Sequence, residues 1–327
     1  MRAKLSKIFK LFLSIFVVIL IFFLIISPQT YMQSTLNGLD VWLTKVLPAL
    51  FPFFFLTKLL TELNVVEKVS ALFSPITKKL FKTPGISSYV FLMSVISGYP
   101  VGAKLISELY KKGIITQSDA TKMNAFCSTS GPLFVVGTVG VCMFSSHQAG
   151  IIILTSHILG AFVNGLIYRN YKSKNTTEKI SLKNTQSQDS ILSSILYDSI
   201  ISILMVGGFI TIFFVFIDFL NNTHIIHSIS IFTQQAIHSS LPIEFFESIF
   251  NGLIEVTRGL LDLSYCQVNS TLLLCTATFL ISFGGLSIHL QSISFLKSAK
   301  IKMSVYFLQK FTHSILSCLF CFLFCLF

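Results

Sequence analysis

Hydrophobic residues along this chain fall into runs of membrane-crossing length, separated by short polar segments that carry most of the lysines. Residues 11–26 form the first run, behind Arg2, Lys4, Lys7 and Lys10. The small-residue cleavage pattern of a signal peptide is missing and Ile25-Ile26-Ser27-Pro28 follows, so the run reads as an uncleaved first helix. A second span is predicted over residues 41–62, where Pro48 and Pro52 are tolerated if neighbouring helices or a cavity satisfy the freed carbonyls. Residues 65–82 place Val69, Leu72, Phe73, Ile76 and Leu80 at helical spacing among Lys68, Lys78, Lys79 and Lys82, the pattern of a helix lying in the membrane interface.

Two later runs are interrupted. Residues 86–110 could cross once by length, but Gly98, Pro100 and Gly102 break them midway and both flanks are basic. The expectation is a re-entrant helical hairpin with Ser97, Gly98, Tyr99 and Pro100 at its tip. A span over 121–144 follows, unwound at Ser128, Thr129, Ser130, Gly131 and Pro132, then a span over 150–168. Residues 170–190 form a polar linker rich in Ser, Thr, Asn and Gln. Beyond it come a span over 193–220, an interfacial stretch over 221–242, a second hairpin over 243–265, a broken span over 271–291 and a last span over 303–327.

The interruptions repeat at one offset. Ser97 to Lys104 superimposes on Asn251 to Arg258, and Ser128 to Pro132 on Ser282 to Leu286, so that Ser128 meets Ser282 and Gly131 meets Gly285. Duplicated hydrophobic units with breaks in matching places point to a transporter binding site. The division expected is an extra N-terminal helix and outer loop (1–40), a first repeat (41–169), a cytoplasmic linker (170–190) and a second, inverted repeat (191–327).

Composition and charge support the membrane assignment. A chain of 327 residues that is 53% hydrophobic and 11% charged, with 34 Phe, has too few charges to cover a soluble surface. The net charge of +11 sits in clusters between the spans rather than along one face, which speaks for the positive-inside rule and against nucleic acid. Of the 24 Lys and Arg residues, all but Lys45, Lys58 and Arg258 fall in or beside segments assigned to the cytoplasm, Lys310 being counted with Lys297, Lys300 and Lys302. This orientation puts the N-terminus in the cytoplasm and the C-terminus outside. It also gives the two units opposite topology.

Irregular backbone in lipid leaves N–H and C=O groups bare at several kcal/mol each, so four matched breaks predict a polar cavity near the midplane. Broken helix ends would offer N–H groups to an anion, with Ser97, Ser128, Thr129, Ser130, Asn251 and Ser282 as further partners. Close helix packing through Gly98, Gly252, Gly284 and Gly285 is the alternative. Lys104 and Arg258 share a repeat position, and two intramembrane cations could bind a dicarboxylate or a phosphate. Equally, Glu108 and Asp262, each four residues after a cation, and Glu255, three before Arg258, could pair with them internally. His289 is either a proton-coupling residue or a neutral His bonded between helices. His224, His227 and His238 read as interfacial residues, and the seven Cys give neither a disulfide framework nor a metal motif. No catalytic triad or P-loop is present, so neither an enzyme nor a cofactor is expected.

Three stretches, Ser97-Gly-Tyr-Pro-Val-Gly-Ala-Lys104, Ser130-Gly-Pro-Leu-Phe-Val-Val-Gly137 and Gly284-Gly-Leu-Ser-Ile-His-Leu-Gln291, resemble in order and spacing the YlbJ-type sporulation integral membrane proteins of the nucleoside-recognition (Gate) superfamily. The resemblance spans nearly the whole chain. It implies an all-α polytopic membrane protein of two inverted-topology repeats, each with a re-entrant hairpin and a broken transmembrane helix, similar to concentrative nucleoside transporters. It also implies movement of dipicolinic acid out of the mother cell across the outer forespore membrane, with the bilayer, a second copy or other sporulation membrane proteins as partners. A nucleoside or nucleobase permease and a non-transporting scaffold are the competing readings.

Overall fold

The computed structural model describes residues 14–15, 17–172 and 191–326, and its regular structure is helical throughout, with no strand among the described residues. The basic residues Arg2, Lys4, Lys7 and Lys10 and linker residues 173–190 lie outside the described residues. A short apolar helix α1 (Val17–Ile26) is followed by α2 (Pro28–Val41), a π-helical turn (Trp42–Val46) and α3 (Leu47–Glu62), which run on as one helix. Residues 28–40, expected as a loop, are therefore helical. Pro28 stands at the first helical position, where its missing N–H costs nothing. The buried stripe Tyr31, Ser34, Gly38 and Val41 then binds the helix to the core, Gly38 lying directly against Thr211 and Phe214.

The remaining elements follow the hydrophobic pattern. They are α4 (Val65–Phe81), α5 (Ser87–Ser97), α6 (Val101–Lys111), α7 (Gln117–Asn124), a π-helical segment (Leu133–Met143) and α8 (His147–Tyr168). The second half contributes α9 (Ile191–Asn222), α10 (Ile225–Ala236), α11 (Ile243–Ile254), α12 (Val256–Ser264), α13 (Ser270–Phe283), α14 (Leu286–Leu296) and α15 (Met303–Cys325). Among the described residues, five helical stretches are long and apolar enough to cross a membrane: Pro28–Leu60, His147–Tyr168, Leu192–Asn222, Ser270–Leu296 and Met303–Cys325. On α4, Leu72, Phe73 and Ile76 remain exposed while Thr77 and Phe81 are buried, as expected for a helix with part of its surface in lipid.

The hairpins α5–α6 and α11–α12 are too short to cross. A helix of 11 residues extends about 16 Å, roughly half the hydrocarbon thickness. Their arms lie side by side through small residues: Gly102 packs on Ser94, and Gly259 rests on the backbone of Gly252. Two hydrophobic clusters mark the ends of the molecule. One joins Phe81, Leu109, Ile115, Ala299 and Ile301; the other joins Met143 and Leu263 with Leu241 and Val268 packed on them. The first end also gathers the basic segments, where Lys122 Nζ donates to the Lys82 carbonyl at 2.6 Å and Lys82 Nζ to Asn170 Oδ1 at 2.7 Å.

Candidate functional site

The two unwound stretches meet the two hairpin tips. Gly98, with φ +74°, lies against the backbone of Gly131, and Gly285 lies against Ile254 and Glu255. Ser94 on the first hairpin donates to the Cys127 carbonyl at 2.7 Å and accepts the Thr129 N–H at 3.2 Å. The first hairpin is thereby bonded to carbonyls and amides that unwinding has set free.

Between these elements lies a cleft with about 720 Å³ of empty space, its open mouth included, of which about 90 Å³ is cavity proper. One wall is apolar and aromatic, with Phe53, Phe54, Phe134 and Phe209. The other is polar and belongs to the broken elements: Ser97 and Tyr99 from the first tip, Ser130 from the first unwound stretch, Glu255 and Thr257 from the second tip, and Ser287 and Gln291 from α14. Such a pair of walls suits a flat ring that carries hydrogen-bonding substituents.

The residues singled out from the sequence divide. Ser97, Gly98, Tyr99, Ser130 and Glu255 line the cleft. Pro100 caps α6 at the tip, Ser128 and Thr129 are buried behind it, and Gly284, with φ +84°, makes the second break. The second hairpin turns at Glu255, not at Asn251 and Gly252, which remain helical. There Gly252 serves close packing against Gly259 and Leu280. Glu255 caps α12, its Oε2 accepting the Arg258 N–H at 2.8 Å and its Oε1 facing Thr257 Oγ1 at 3.2 Å.

The matched cations stand apart from the cleft wall. Lys104 is exposed on α6. Arg258 Nε bonds Asp262 Oδ1 at 3.0 Å and Arg258 Nη2 meets Asp218 Oδ1 at 3.4 Å, while its guanidinium packs 5.0 Å from the centre of the Phe214 ring. Asn251 Nδ2 donates to the same Asp262 at 2.9 Å. The internal pairing thus holds for Arg258, because a half-buried guanidinium beside two carboxylates is held by both. His289 is buried, its Nδ1 2.9 Å from Tyr306 Oη, behind the Ser287 and Gln291 face of α14.

Three central residues were not singled out. Lys310, placed with the cytoplasmic lysines by its neighbours in sequence, is buried inside α15. His157 on α8 bridges the unwound stretches: Ser130 N–H donates to its Nε2 at 2.9 Å, and Nδ1 lies 2.7 Å from Ser282 Oγ. A backbone N–H can only donate, so Nε2 is unprotonated and Nδ1 donates to Ser282. His313 Nε2 in turn donates to the His157 carbonyl at 3.0 Å. Intramembrane ionisable residues inside each span were the available signal.

Residues 43–154, which hold the first hairpin and the first unwound stretch, match the Gate family, described as nucleoside recognition. The chain is 29% identical to the sporulation integral membrane protein YlbJ of Bacillus subtilis (strain 168), over 97% of this chain and 83% of that protein. A solved structure of a substituted form of CNTnw, a concentrative nucleoside transporter, in an outward-facing state superposes with a TM-score of 0.54, covering 91% of this chain and 85% of that one at 14% identity. The resemblance read from the motifs is thus found along the whole chain, and the fold is that of the transporter.

Proposed function

On the premise of that likeness, we propose that this chain is a secondary transporter of a small, flat organic anion, that it works in sporulation, and that dipicolinate is its substrate. One observation carries the transport reading: both hairpin tips, the first unwound stretch and the start of α14 beyond the second break line one cleft. Elements broken at that depth are free to move as units against the long helices. The flat aromatic wall and the serine, threonine and glutamine groups opposite suit a pyridine ring bearing carboxylates, and Lys310 lies one hydroxyl behind the cleft, through Tyr99. The basic end of the molecule faces the cytoplasm on this reading, and the outer forespore membrane is the location that the sporulation likeness suggests.

The test is dipicolinate flux into vesicles holding the purified chain, with Gln291→Ala and Ser97→Ala as variants. Flux in the parent that falls in both variants supports the reading, and a parent that moves no dipicolinate ends it. A nucleoside is the second reading, favoured because the polar wall is built of neutral groups and Glu255, with neither Lys nor Arg in it. Uridine flux without dipicolinate flux would select it.

A further inference from the structure

The centre of the molecule holds a cation that is not part of the cleft wall. Lys310 is 1% exposed, and its Nζ donates to Tyr99 Oη at 2.7 Å and to the Ser128 carbonyl at 3.4 Å. The same Nζ lies 4.4 Å from the centre of the Tyr99 ring. The Tyr99 hydroxyl in turn stands 3.4 Å from the carbonyls of Ile281 and Ser282, in the last turn of α13. Oxygen atoms from the first unwound stretch and the first hairpin tip therefore face the ammonium, with the carbonyl end of the second broken span just behind. No carboxylate pairs with it among the described residues. The ionisable neighbour His157 is neutral, since its Nε2 accepts a backbone N–H.

Unwound carbonyls and helix C-terminal ends are the groups that broken-helix carriers present to a coupling cation. Here that potential is met by a side chain, and burying an ammonium costs several kcal/mol unless such groups surround it. We propose that Lys310 is a resident cation, which fills the place where a diffusing sodium ion would be held and fastens the first hairpin tip to α15. It follows, if the chain is a transporter as argued above, that its transport needs no sodium.

The experiment is thermal unfolding of the full chain in detergent, in sodium chloride against choline chloride at equal ionic strength, for the parent, Lys310→Ala and Lys310→Met. The parent is expected to show one Tm in both salts. Lys310→Ala should unfold at a lower Tm that methylammonium raises saturably, whereas Lys310→Met, which fills the space, should not respond. A saturable rise of the parent Tm with sodium overturns the proposal, as does an equal response, or none, of the two variants to methylammonium. Should Lys310→Ala not fold, dipicolinate flux by the parent in choline decides: unchanged flux supports the resident cation, and flux lost without sodium refutes it. Absence of flux in both salts strikes the substrate reading and leaves the parent Tm comparison to decide on Lys310.

Discussion

His157 and Ser282 stand 2.7 Å apart, and through this contact α8 ties the second unwound stretch to the first, since the other imidazole nitrogen accepts the Ser130 N–H at 2.9 Å. Both partners are buried, at 0% exposure, so neither bond can be exchanged for water. His157→Ala is expected to strand a backbone N–H and a hydroxyl, at a cost of about 1–3 kcal/mol for each buried group left unsatisfied. Thermal unfolding would read this as a lower Tm, together with loss of flux. A parent-like Tm would show that the bridge carries no load.

Close approach of backbones makes a sharp contrast between two glycines. A Cβ on Gly102 would run into the carbonyl oxygen of Cys127, whereas one on Gly208 in α9 meets nothing within 4 Å. Gly102→Ala should abolish accumulation of folded protein. Gly208→Ala should be neutral or stabilising by up to about 1 kcal/mol, the helix-propensity gain of alanine over glycine. Expression with size-exclusion chromatography of both variants checks the pair.

The matched cations should behave differently from each other. Arg258→Ala leaves Asp218 and Asp262 facing one another without their guanidinium, half-buried, and should lower the Tm markedly. Lys104→Ala changes an exposed side chain and should stay within about 0.5 kcal/mol of the parent. A double-mutant cycle of Arg258→Ala with Asp218→Ala should return a non-zero coupling energy. Additive effects would mean that the ion pair between the second hairpin and α9 contributes nothing.

Glu255 caps α12 and lines the cleft, so one side chain serves two roles that substitution can separate. Glu255→Gln keeps an acceptor oxygen for the Arg258 N–H and should hold the Tm near the parent value. Glu255→Ala removes the cap, with an expected loss of about 0.5–2 kcal/mol. If flux falls in Glu255→Gln while the Tm holds, the carboxylate acts on the solute.

The architecture was legible where hydrophobic period and helix-breaking residues are local signals. The hairpin at Gly98 to Pro100, the unwound stretch at Ser128 to Pro132 and the break at Gly284 were all marked by glycine and proline inside apolar runs. The turn of the second hairpin at Glu255 falls within the matched stretch Asn251 to Arg258, but its exact residue carried no local signal, since the turn contains neither glycine nor proline. Lys310 was hidden by its nearness to Lys297, Lys300 and Lys302, since a tally of flanking charge cannot tell a residue one turn outside the span from one inside it.

What the sequence determined by itself is the order of spans, the two hairpins, the break of the first and the basic end, because each follows from the cost of placing backbone and charge in lipid. What only the tertiary structure decided is which polar group faces which. Lys104 turns outward, Arg258 is held by Asp218 and Asp262, and Lys310 occupies the polar centre beside Tyr99 and Ser128. Helical spacing fixes the face of a side chain on its own helix, but not the helix that the face meets. Residues far apart in the chain, Tyr99 with Lys310 and His157 with Ser282, become partners only once packing has chosen their neighbours.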